Sequence, residues 1–241
     1  MAGSGSGPGE DRRHWAAVAS DWVAWARAPD HDAFWAYRDA LAGFIGTGSG
    51  SALDVGCGEG RVSLLLGACG YRVTAVDPVR EMVAAAAGAG SAADYAVAAA
   101  AALPFADGCF DLVMAYNVLM DVEDVAGAVR EMRRVMRPSG TLVVSVVHPF
   151  SDRGRFAADG TFVVEGDYFG RARFDGVEER DGMRMHFAGW SQPLEVYAAA
   201  LEGAGLAITA LREPVPDARR ADLAQWRRLP LFLWLKVRVV G

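Results

Sequence analysis

At 241 residues the chain is sized for one domain, or one domain with a small appendage, and 52% hydrophobic residues are enough to bury a substantial core. A net charge of −6 with no basic stripe excludes the electrostatic footprint of a nucleic-acid binder. No apolar run reaches membrane-span length, the alanine-rich tract at 96–102 being far too short.

The three cysteines, Cys57, Cys69 and Cys109, show neither CxxC pairing nor zinc spacing, and no Asp/Glu/His cluster has metal-ligand spacing, so no metal is expected. The first residues lack a charged and then apolar signal, which together with the thiols leads to the expectation of a reduced, cytoplasmic protein. Residues 1–10 read as a flexible leader rich in Gly and Ser. Residues 11–46 read as about two short helices broken at Pro29, and they carry Trp15, Trp22, Trp25, Phe34, Trp35 and Tyr37. These rings either pack the helices onto the sheet edge or form an aromatic lid over a flat ligand.

The segment 51–55 is an apolar strand, and Gly56, Cys57, Gly58, Glu59 and Gly60 follow it as a turn. A helix over 61–69 comes next. Alternating glycines let the backbone turn sharply and let a ligand approach without meeting a Cβ. The helix start supplies free N–H groups and a positive dipole end for an anionic or polar ligand. The alternating stretch 71–76 is a second strand ending on Asp77, placed to accept both hydroxyls of a ribose. The alternative is that Asp77, followed by Pro78, caps the helix 79–87.

A short strand is expected at 94–98, a turn from Leu103 through Asp107 and Gly108, and a fourth strand over 110–116. Asn117 opens the next loop at the carboxyl end of the sheet, either beside a ligand or as a turn residue. A helix over 122–136 puts Val125, Val129, Met132 and Met136 on one face, with Arg130, Arg133, Arg134 and Arg137 on a solvated one. Pro138-Ser139-Gly140 stops it, and 141–147 is a fifth strand rich in Val.

Together LDVGCGEG, VTAVD, LPFADGCFDLV and REMRRVMRPSGTLVVSV resemble the class I S-adenosylmethionine-dependent methyltransferases, in their broad small-molecule branch. The resemblance is dense from Ser51 to about Val147 and loose beyond. It implies a doubly wound, Rossmann-like, seven-stranded and mostly parallel sheet with an antiparallel last strand. It also implies S-adenosyl-L-methionine as cofactor and a helical lid over cofactor and substrate. The cofactor set it implies includes Asp54, Gly56, Cys57, Gly58, Gly60, Asp77, Pro78, Met82, Ala100 and Asn117. An acidic residue that would meet the adenine amino group is replaced here by Ala99, so this sequence departs from the pattern there.

His148, at the end of the fifth strand, is a candidate general base or else a strand-end histidine held by a carbonyl. Residues 150–191 break the α/β rhythm and read as a small β-rich or irregular cap that shapes the acceptor pocket. Within it His186 and Tyr168 are further candidates for base or orienting donor. The segment 193–203 is a helix, 206–211 a strand, 213–230 a surface excursion and 231–240 the closing strand of the domain spanning 47–241. The reading favours O- or N-methylation of a small aromatic or apolar molecule by a monomer or homodimer. Two alternatives stand beside it: a non-methylating cyclase or rearrangement enzyme of the same fold, and an NAD(P)-dependent dehydrogenase. The dehydrogenase is disfavoured by GxGxG where GxGxxG is expected.

Overall fold

The computed structural model describes residues 9–240; residues 1–8 of the expected leader lie outside them. Helix α1 already begins at Glu10, so the leader does not extend through residue 10. Three helices, rather than two, precede the sheet: α1 (Glu10–Ala17), α2 (Ala19–Arg27) and α3 (Phe34–Ile45).

The sheet follows: β1 (Ser51–Val55), α4 (Arg61–Ala68), β2 (Arg72–Asp77), α5 (Arg80–Gly88), β3 (Asp94–Val97), β4 (Phe110–Tyr116), α6 (Val125–Val135) and β5 (Met136–Val147). Two hairpins, β6 (Gly154–Phe156) with β7 (Phe162–Val164) and β8 (Ala172–Arg180) with β9 (Met183–Ser191), fill the segment between β5 and the next helix. Helix α7 (Leu194–Gly203), β10 (Leu206–Arg212) and β11 (Phe232–Val239) complete the chain.

The strand order is β10-β11-β5-β4-β1-β2-β3. Neighbours from β3 to β5 are parallel, and β11 runs antiparallel between β5 and β10. The order in which successive strands are added reverses between the parallel β1 and β4, so their carboxyl ends border the crevice where ligands bind in such sheets.

The alternation of apolar residues decides which face each side chain serves. On β4, Val113 and Ala115 join Val129, Met132 of α6 and Tyr197 of α7 on one side. Leu112, Met114 and Tyr116 join Phe34, Tyr37 and Leu41 of α3 on the other. On β11, Leu233 and Leu235 go to the first cluster and Phe232 and Trp234 to the second. Buried side chains of this size each contribute about 1.5–3 kcal/mol.

Helix α6 starts three residues later than its apolar face suggests because Asp124 is its N-cap, its Oδ1 accepting the N–H of Gly127 at 2.7 Å. Arg134 is not simply solvated. It donates to the carbonyls of Phe105 and Leu103 at 2.7 and 2.9 Å and to Asp107 Oδ1 at 2.8 Å, pinning the loop before β4.

Candidate functional site

The glycine loop is built from backbone rather than side chains. Val55 ends β1, and Gly56 and Gly58 follow with φ of 67° and 54°, which residues with a Cβ rarely adopt. A Cβ on Gly56 would lie 2.5 Å from Val118, and one on Gly58 would lie 3.2 Å from the indole nitrogen of Trp22. Cys57 spends its N–H on the carbonyl of Val76 at 2.9 Å and buries its side chain against Ala75 and Ala86. Helix α4 then starts after Gly60 without a side-chain cap. One strand back, Asp54 is fully buried and accepts the Ser63 hydroxyl at 2.6 Å, which ties β1 to α4. Burial pushes its carboxyl up to about 7.

Asp77 ends β2 and is only 8% exposed. Its Oδ2 accepts the N–H of Gly58 at 3.0 Å and its Oδ1 that of Val79 at 2.9 Å. It therefore caps the approach to α5 and holds the glycine loop at once. Burial raises its carboxyl to about 6, against the two N–H bonds, which lower it. Each oxygen keeps a further lone pair.

The N-terminal helices pack over this loop. Trp22 donates to Glu59 Oε2 at 3.1 Å, while Glu59 Oε1 is buried without a hydrogen-bond partner, 3.6 Å from Arg61 Nε. Arg61 is held by Asp32 at 2.9 Å and lies over the rings of Trp22 and Phe34. Met82 and Val79 of the α5 region pack beneath Ala19, Trp15 and Trp22. The lid is in turn fastened to the β8–β9 hairpin. Asp11 accepts from Arg173 and from Trp190 Nε1, the latter at 3.0 Å. His14 donates to the carbonyl of His186 at 3.0 Å, and His31 to Asp181 at 3.2 Å.

The remaining residues singled out from sequence separate. Asn117 has φ 55°, donates its backbone N–H to Ser145 and accepts the Ser145 hydroxyl at 2.9 Å. Pro78 is partly covered, Ala99 is exposed, and Ala100 is buried in the first core cluster. His148 receives the N–H of Phe150 at Nδ1, so Nε2 carries the proton toward Glu213, 3.1 Å away, and burial lowers its basicity. His186 is bonded to Asp175 at 2.8 Å on the hairpin, and Tyr168 accepts the N–H of Leu194 at the start of α7. The fold does not bring these three together.

Glu59, Asp121 and the Asp11–Trp190 pair also flank this region and were not legible as candidates. Only the position of Asp121 in the loop after β4 gave any signal.

The residues around the glycine loop fit S-adenosylmethionine. The loop has no room for a Cβ at Gly56, a buried carboxylate with spare lone pairs stands beside it, and Glu59 Oε1 is a buried acceptor that receives no hydrogen bond. This sheet order, with such a loop after its central strand, is that of the class I S-adenosylmethionine-dependent methyltransferases, and the chain shares their fold.

Residues 53–144 match a family model described as "Methyltransferase domain". A ubiquinone biosynthesis O-methyltransferase of Methylocella silvestris is 35% identical over 118 residues, 47% of this chain and 46% of that one. The chain thus spans about half the length of the curated relatives it matches. Among solved structures, an S-adenosylmethionine-dependent methyltransferase from Mesorhizobium loti superposes with TM-score 0.67 at 26% identity, over 87% of this chain and 99% of that one. A didemethyltoxoflavin N-methyltransferase of Burkholderia thailandensis, solved with S-adenosylhomocysteine, superposes with TM-score 0.62 at 16% identity, over 100% and 94%.

Proposed function

We propose that the protein transfers a methyl group from S-adenosylmethionine to a small, flat or largely apolar molecule, at oxygen or nitrogen. The observation that carries this reading is the bond from Gly58 N–H to Asp77, which joins a ribose-type acceptor to the glycine loop. When bound, the cofactor supplies an electrophilic methyl on a positively charged sulfur. In this reading Asp77 receives ribose hydroxyls, and the backbone from Gly56 to Gly60 faces the polar end of the ligand. Met82 and the backbone at Ala100 border the adenine, and Asn117 lies toward the methionine part. Trp22 and its neighbours exclude water, so that acceptor and methyl are held in line; such positioning is worth several kcal/mol.

The acceptor is read as small because lid and cap are fastened together and their facing rings, Trp22, Trp25 and Phe187, are aromatic. Calorimetric titration with S-adenosylhomocysteine and with NAD tests the proposal. Micromolar affinity for the first and far weaker affinity for the second is expected. Tighter binding of the dinucleotide would overturn it.

A further inference from the structure

A cavity of about 420 Å³ lies between α3 and the β10–β11 pair. That pair forms the sheet edge opposite β2 and β3, and β5 and β4 stand between it and β1. The cavity is therefore separate from the glycine loop and Asp77. Small residues leave the space. Ala210 of β10 stands opposite Lys236 of β11, and α3 presents Gly43, where a Cβ would meet no atom within 4 Å.

One wall is aromatic, with the rings of Phe44 and Trp234 at 5.8 Å and tilted by 32°. The other is cationic. Lys236 is the only lysine in the chain. It is half-buried, with Nζ 5.2 Å from the centre of the Phe44 ring, and it makes no ion pair among the described residues. Arg212 donates to the carbonyl of Leu211 at 2.7 Å and likewise has no carboxylate partner. Glu213, the acid on this wall, is engaged elsewhere: its Oε1 accepts from His148 Nε2 at 3.1 Å.

Opposite residues of an antiparallel pair point to one face of the sheet. Arg212 pairs with Trp234, so it brings its charge to the face that carries the indole and Lys236. Two cations without a carboxylate, beside two rings, complement an anion with a flat apolar body. The rings offer area to bury, and the ammonium and guanidinium offer charge-assisted donors. We propose that this cavity binds an aromatic carboxylate, its ring against Phe44 and Trp234 and its carboxylate toward Lys236 and Arg212. The proposal does not rest on the methyltransferase reading.

The test uses the full chain and two readouts. In calorimetry 2-naphthoate is compared with the neutral 2-naphthamide. The acid is expected to bind about tenfold more tightly, the value of one charge-assisted hydrogen bond. In the second readout N-hydroxysuccinimidyl acetate acylates amines, and the peptide carrying Lys236 reports on this cavity alone. At about ten times its Kd, 2-naphthoate should slow acylation of Lys236 about tenfold, in proportion to occupancy, and leave the α-amino group unaffected. Lys236→Gln should erase the preference for acid over amide. Gly43→Leu fills the space from α3 with every charge kept, and should weaken both probes about tenfold or more.

Equal affinity of acid and amide for the unaltered protein would overturn the proposal without any variant having to fold. So would a preference that survives Lys236→Gln, or binding undiminished in Gly43→Leu. Equal slowing at Lys236 and at the α-amino group would mean a bulk effect of the anion and refute the site. If S-adenosylhomocysteine protects Lys236 as well as 2-naphthoate does, the cavity belongs to the cofactor and the proposal falls. Failure of S-adenosylhomocysteine to bind at all would strike the methyltransferase reading alone.

Discussion

Trp22 and Glu59, 37 residues apart, meet through a 3.1 Å hydrogen bond that lays the indole across the glycine loop. The bond is made by a lid residue to the one side chain of the loop that stands between Gly58 and Gly60. A ligand approaching Gly58 from that side has to displace the ring.

Trp22→Ala should therefore speed association of S-adenosylhomocysteine several-fold in stopped-flow measurements. It should also raise hydrogen exchange across α2, because the variant loses both this bond and the contact with Arg61. An unchanged association rate would show that the lid does not limit entry.

Asp77→Ala removes the acceptor of two backbone N–H groups as well as the proposed ribose contact. Leaving those donors without a partner costs about 1–3 kcal/mol, which lowers the melting temperature of the ligand-free protein by about 2–10 °C. S-Adenosylhomocysteine should bind at least about tenfold more weakly. Scanning calorimetry and titration together check this. A stability loss with unchanged ligand affinity would leave Asp77 as a structural clamp alone.

Asp54 carries a folded-state pKa of about 7, raised chiefly by burial above the ordinary carboxylate value of about 4. A carboxyl raised in this way favours the folded state most when it is protonated. Its contribution is complete below about pH 4 and is lost as the pH rises through about 7. Relative to Asp54→Asn, which keeps an acceptor for Ser63 and cannot ionise, the native protein should gain roughly 2–4 kcal/mol on going from pH 8 to pH 5. Urea unfolding of both proteins across that window is the measurement. A parallel pH dependence for the two would refute the assignment.

Arg134→Ala should loosen the segment 103–108, since three donor contacts to that loop end on this one guanidinium. A cost of about 1–2 kcal/mol is expected, with faster hydrogen exchange confined to the loop and the start of β4. Exchange that rises evenly over the sheet would argue for a global effect instead.

The central sheet was legible because its signals are local. Alternating apolar residues mark β2 and β11, GxGxG marks the turn, and the Val125-Val129-Met132 spacing marks α6, although its cap at Asp124 went unread. Asp77 was found for the same reason, yet its burial was not, because that depends on the lid packing over α5. The strongest lid contacts are long-range: Asp11 and Trp190 are 179 residues apart, and no periodicity near either one announces the other. Asp121 was passed over for a related cause. Its surroundings are set by Gly189 and Asp152, which the chain supplies only after β5. His148 stood out through its residue type, and its bond to Glu213 was invisible from the strand that carries it.

The three fastenings between the N-terminal helices and the β8–β9 hairpin, at Asp11, His14 and His31, tie these two covers to each other. Covers tied in this way are expected to open together, and a shared opening makes traffic sequential. The molecule seated against Gly58 is then expected to arrive first and depart last, with its companion entering over it. Steady-state inhibition by S-adenosylhomocysteine would then be competitive toward the methyl donor and noncompetitive toward the acceptor, the signature of a compulsory order rather than of random loading.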